Sequence, residues 1–161
     1  MNHILTTLSI IPLLFFSCKK NTIEGDIINN SALAESLRES PESISVGENN
    51  LTLSTYLWRD FMPVAEENGS KMMCVNTLVD GDSVAIPSSI TLKKQYVIRN
   101  SGIWTADYSE TKKKSDYELE GSLRNGPKWG PDIEVDVVCE FEQSGITYRV
   151  LARSQVIHKT S

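Results

Sequence analysis

The chain predicts an all-β domain, an antiparallel two-sheet, immunoglobulin-like β-sandwich, with a small β-barrel as the alternative architecture. Three observations carry this. From Leu51 onward apolar and polar residues alternate with a period of two, run after run. Turn sequences such as Asp80-Gly81, Asn100-Ser101-Gly102 and Gln143-Ser144-Gly145 separate the runs. No segment there sustains a helical period. Seven or eight short strands are expected, enough for two packed sheets.

The elements follow in order. Leu51, Leu53, Thr55 and Leu57 alternate with polar partners, and Met62-Pro63 ends that strand because proline donates no ladder hydrogen bond. Lys71 to Val79 is a second β-rich run, with Met72, Cys74 and Leu78 competing against Met73, Val75 and Val79 for the core face. A short piece at Val84–Ile86 comes next. Ile90, Leu92, Tyr96 and Ile98 are expected to face one way through the following strand. Ile103 to Tyr108 and Tyr117 to Leu123 form two more, with Lys112-Lys113-Lys114 between them as a solvated hairpin tip. Ile133, Val135, Val137, Cys139 and Phe141 alternate with acidic residues, the clearest half-buried strand in the chain. The last strand spans Ile146 to Ile157, its inward set starting Ile146, Tyr148, Val150, Ala152.

Upstream the composition changes. Ile4 to Phe16 is an almost unbroken apolar run, too short for a bilayer span of about 20 residues but suited to a secretion signal. Ser17-Cys18 follows directly. This arrangement resembles the lipobox of bacterial lipoproteins, which implies cleavage before Cys18 and acylation of that cysteine. Lys19 stands where an inner-membrane retention aspartate is found in enteric lipoproteins, so the resemblance implies an outer-membrane location. The chain divides accordingly into a signal peptide at 1–17, a lipidated cysteine and flexible tether at 18–50, and the β domain at 51–161. The tether is rich in Asn and Ser and poor in large apolar side chains, a composition that cannot offset its own ordering entropy. As a coil it has a root-mean-square span of roughly 30 Å. A short helix at 31–40 is the one ordered element considered within it, with Ser31 as N-cap and Glu35 and Arg38 on the exposed side.

Charge excludes several partners. The whole chain carries a formal net charge of −5. No basic face recommends nucleic acid or an anionic surface as the partner of the β domain. With Cys18 assigned to lipid, Cys74 and Cys139 are left as a candidate disulfide in an oxidising compartment.

Chemistry-bearing constellations are sparse. Downstream of the signal there is a single histidine, His158, close to the terminus. No catalytic residues, cofactor or metal site are therefore expected. Asp80-Gly81-Asp82 joined by Asp60 or Asp132 is a weak calcium pattern, and Met72-Met73-Cys74 reads as core packing because neighbouring strand residues face opposite ways. Two segments interrupt the β pattern, Trp58-Arg59-Asp60-Phe61-Met62-Pro63 and Gly126-Pro127-Lys128-Trp129-Gly130-Pro131. With the final hairpin they resemble small uncharacterised bacterial β-sandwich proteins, often secreted or lipidated. That resemblance implies a fold and no activity.

Trp58, Arg59, Asp60 and Trp129 are the candidate binding residues. An internal Arg59–Asp60 pairing and a lid role for Trp129 are the competing structural explanations. The order Cys74, Trp104, Cys139 echoes an immunoglobulin core, but the first gap is too long for an antibody-type domain. The expected function is a non-catalytic interaction module on the cell envelope, binding an envelope protein or a glycan polymer. The alternatives are a structural component pairing by a sheet edge and a carboxylate-dependent hydrolase acting on glycans.

Overall fold

The computed structural model describes residues 25–161. The expected signal peptide at 1–17 and the expected acylation site Cys18 lie outside the described residues. Ten strands and one helix follow in the order β1 (Asp26–Asn29), α1 (Ser31–Arg38), β2 (Ser43–Val46), β3 (Asn49–Asp60), β4 (Met72–Asp80), β5 (Ile90–Arg99), β6 (Gly102–Asp107), β7 (Thr111–Ser115), β8 (Glu118–Gly126), β9 (Glu134–Gln143) and β10 (Ile146–Thr160). They form one mixed sheet in the spatial order β1-β6-β5-β9-β10-β3-β4-β8-β7, with β2 beside β3. The sheet curls strongly into a half-barrel.

The all-β expectation holds, but the arrangement is not purely antiparallel. Strand β10 runs antiparallel to β9 from Ile146 to Val156 and then parallel to β3, pairing Ile157 with Leu57 and His158 with Trp58. A register shift between Ala152 and Gln155 separates the two pairings, and Ser154 there takes a φ of 51°. A bulge of this kind bends the strand and increases its twist. Through that bend one strand serves both halves of the sheet.

The concave side holds the core. Leu51, Leu78, Leu92, Cys139, Phe141 and Val150 pack in one cluster. Leu57, Met72, Cys74, Val97, Trp104, Val137 and Ile157 pack in a second, and Leu53 and Tyr108 touch both. In β4 the contest is settled in favour of Met72, Cys74 and Leu78, all fully buried. In β5 the expected single face is corrected. A register shift between Leu92 and Lys94 reverses the side-chain parity. Ile90 and Leu92 point into the core, whereas Tyr96 and Ile98 pack on the convex side.

That convex side is covered by α1. Leu33, Ala34 and Leu37 recur at helical spacing and pack on Ile98, Ile103, Val138 and Leu151. Leu37 is fully buried, a gain of about 2 kcal/mol from area alone. Asn30, rather than Ser31, is the N-cap, its side chain accepting from the Leu33 amide at 3.0 Å. Arg38 is not turned to solvent as expected but pairs with Asp136 at 2.7 Å.

The boundary at residue 50 is therefore corrected. Residues 26–50 contain β1, α1 and β2, each docked on the sheet. Composition misses this because the sheet supplies the apolar surface the segment lacks. Two smaller corrections follow. The stretch 84–86 forms no strand, and Lys112–Lys114 lie in the edge strand β7, where Lys112 and Lys114 pair with Glu120 and Glu118 of β8. Lysines on an outer strand oppose edge-to-edge pairing.

Candidate binding surface

Strand alternation divides the first candidate segment between two faces. Leu57 and Arg59 point inward, while Tyr56, Trp58 and Asp60 point outward. The parallel pairing with β10 buries Ile157 beside Leu57 and brings His158 out beside Trp58. The Tyr56 ring lies 5.0 Å from that of His158 at an interplanar angle of 18°, and 5.3 Å from that of Trp58 at 32°. Tyr56 remains 48% exposed. Met73 and Val75 of β4 stand opposite Trp58 and Tyr56 and are half-buried. Val156, one residue before the paired segment of β10, is exposed. Three adjacent strands thus carry an aromatic and apolar patch on a rigid backbone. On the other half of the sheet the corresponding face is filled by α1. Among the described residues no element covers the Tyr56 patch.

Arg59 does different work. Its guanidinium is almost fully buried and donates to four backbone carbonyls: Ser70 at 2.9 Å, Lys128 at 3.2 Å, Gly130 at 2.6 Å, and Asn68. It also lies 4.9 Å from the centre of the Phe61 ring. Burial lowers its pKa from the ordinary guanidinium value. The planar fork ties the loop between β3 and β4 to the loop between β8 and β9, a geometry lysine cannot reproduce.

The expected Arg59–Asp60 pairing does not form, because adjacent strand residues face opposite sides. The Asp60 carboxylate instead accepts from the Met62 amide at 2.9 Å. Trp129, carried on the second loop, is half-buried and packs on the cluster containing Leu57, Trp104 and Ile157. Its ring leans on this cluster rather than standing clear of it. Of the four candidates, then, only Trp58 belongs to a displayed patch.

The candidate disulfide is also corrected. Cys74 and Cys139 are free thiols, both fully buried. A polar chain lies between them. Cys74 Sγ donates to Asn76 Oδ1 at 3.3 Å, and Asn76 Nδ2 donates to Tyr108 Oη at 2.6 Å and to Gln95 Oε1 at 2.9 Å. The Tyr108 hydroxyl in turn donates to Cys139 Sγ at 3.7 Å. Burial pushes the Cys139 thiol up to about 12, outweighing the Tyr108 hydrogen bond, which lowers it. Burial raises Cys74 further, and Cys139 adds to the effect. Thiols held in this form are poor nucleophiles.

The aspartate of the weak calcium pattern has another role. Burial would raise the Asp80 pKa, but donors from Val84, Asn49, Asn50 and Asp82 outweigh it and hold the carboxyl below its ordinary value. Its two oxygens receive those four bonds at 2.9–3.0 Å. Asp80 thereby fixes the turn after β4 against the start of β3.

Sequence reasoning missed Tyr56 and His158. Tyr56 was legible from strand parity, two residues before Trp58. His158 was not, since its place depends on a parallel pairing across about a hundred residues. Compared with protein-family models, curated proteins and solved structures, the chain matches none.

Proposed function

We propose that this chain is a lipid-anchored outer-membrane protein of the bacterial envelope, acylated at Cys18, whose β domain is a non-catalytic binding module. Its partner is an envelope protein or surface polymer that lies across the Tyr56–Trp58–His158 patch. The observation that carries this reading is the uncovered aromatic face itself. Tyr56 and His158 are exposed yet stacked on each other, with half-buried Trp58 tilted against Tyr56, so little side-chain entropy is lost on contact. Tyrosine and tryptophan are also the residue types that dominate binding energy at interfaces. The two halves of the curled sheet, facing each other across the core, act here as the layers of an immunoglobulin-like sandwich would. Pairing by a sheet edge is the weaker reading, because the margin at β7 carries three lysines and the margin at β1 is only four residues long.

A photo-crosslinking residue at Tyr56 in intact cells tests the proposal. A discrete adduct, lost on Trp58→Ala with thermal stability retained, is expected. Adduct formation indifferent to Trp58 and His158 substitutions would remove the patch from consideration.

A further inference from the structure

The described fold reaches much closer to Cys18 than composition suggests. Only six residues, Lys19 to Glu24, separate the cysteine from Gly25. Gly25 is itself fitted to the domain. A β carbon at this position would meet Trp104 Nε1, the Thr105 carbonyl oxygen and the Ala106 side chain. From there β1 pairs with β6 in unbroken register, Asp26 with Thr105 through Asn29 with Gly102.

Covalent geometry then sets a limit on any conformation of the connecting residues. Seven residue steps reach at most about 25 Å. As a coil, six residues have a root-mean-square span of only about 13 Å. The radius of gyration of a domain this size is about 14 Å. A leash this short cannot lift the domain by its own diameter.

The end of the leash also selects which surface meets the lipid. Among the described residues β1 pairs with β6 alone, so it forms one margin of the half-barrel. Its two central side chains, Ile27 and Ile28, are 56% and 39% exposed. Lys19 and Lys20 directly follow Cys18 in the sequence, a charge suited to anionic headgroups beside an acyl anchor. The acidic Glu24 and Asp26 lie at its domain end.

From this we infer that the free edge of β1 rests on the headgroup layer of the bilayer, with Ile27 and Ile28 as its apolar contacts. The inference depends on the reading of Cys18 as the acylated residue. It deepens the functional proposal by giving the domain an orientation. The Tyr56 patch lies on β3, five strands along the sheet from β1, and is left free for a partner.

The test uses the full chain, produced in cells that acylate lipoproteins. Two single variants, Ile27→Cys and Val156→Cys, are labelled with an environment-sensitive fluorophore at the introduced thiol. The native thiols at 74 and 139 are buried and do not compete under folding conditions. Both substituted positions are exposed, and unchanged melting midpoints check that the fold is kept. Each protein is reconstituted into phosphatidylethanolamine–phosphatidylglycerol vesicles containing a headgroup spin-labelled lipid. Flotation with the vesicles, and at least two-fold stronger quenching at position 27 than at 156, is the expected result. Flotation with equal quenching, or with stronger quenching at 156, overturns the docking inference alone. Failure to float overturns the assignment of Cys18 and the docking inference with it.

Discussion

The indole ring of Trp104 lies directly on Gly126, across the hollow of the curled sheet. A β carbon at 126 would stand 2.8–2.9 Å from three ring carbons, closer than real contacts allow. A second pair repeats the device: a β carbon at 121 would stand 2.7 Å from Tyr108 Cε1 and closer still to Cδ1. Strands β6 and β8 are not hydrogen-bonded neighbours. Two aromatic rings seated on two glycines bring them together.

Gly126→Ala should therefore act as an overpacking substitution, costing about 1–3 kcal/mol. The melting midpoint should fall by several degrees. A midpoint matching that of the wild type would mean that β6 and β8 approach less closely than described.

Arg59→Lys should destabilise the domain by about 2–4 kcal/mol, since one ammonium cannot satisfy carbonyls on two loops at once. Limited proteolysis is the sharper readout. Cleavage should accelerate within 61–71 and 126–131 before global unfolding. Unchanged digestion would show that the loops hold without the guanidinium.

Trp129→Ala should lower stability by about 2–4 kcal/mol, somewhat less than for a fully enclosed tryptophan. Chemical denaturation measures it. A change below about 0.5 kcal/mol is the signature of an ordinary surface site and would transfer Trp129 to the binding surface.

Asp80 gives the acid limb of stability a specific origin. Its folded pKa is depressed, so its contribution is complete above the unfolded value of about 3.9 and is lost as pH falls through the folded one. Asp80→Ala should cost about 3 kcal/mol near neutrality and flatten the loss of stability at acid pH. Denaturant midpoints measured from neutral to acid pH for both proteins would reveal this. Parallel curves would assign the acid limb to other carboxylates.

The buried thiols predict the alkaline limb. Both folded pKa values are raised, so the protonated form is common to the folded and unfolded states below about pH 8.5 and carries no penalty there. Above that, the unfolded chain ionises first, and stability falls by up to about 1.4 kcal/mol per pH unit for each thiol until the folded values are reached. The double variant Cys74→Ala, Cys139→Ala should lose most of this slope in pH-dependent unfolding. Native protein should react slowly with a thiol reagent and give two equivalents from residues 74 and 139 after unfolding. Their absence after unfolding without reductant would restore the bridge.

Local patterning revealed much of this fold. The inward set of β9, from Val135 to Phe141, is placed as alternation requires, because a strand with one wet face announces its period. What stayed hidden depends on single-residue slips and distant partners. The bulge after Leu92 sends Tyr96 and Ile98 to the opposite face, and no residue there marks it in advance. The helix at 31–38 looks polar in isolation, since its apolar stripe is three residues wide and its partners Ile98, Val138 and Leu151 are far along the chain. At the candidate surface, parity alone separates outward Trp58 from inward Arg59. The stacking of His158 on Tyr56 follows only from the β3–β10 pairing.

That pairing also fixes when the molecule can be finished. Asp60 meets Thr160, a hundred residues away, and among the described residues β10 is the only strand bonded to both β9 and β3. Until β10 is in place, the two halves of the sheet have no shared member among the described residues, and each exposes a half of the core. Contacts this remote in sequence delay folding, because the chain must close its longest loop before they give any return. The union of the two halves therefore rests on a single strand, and the core closes only once β10 has joined β9 to β3.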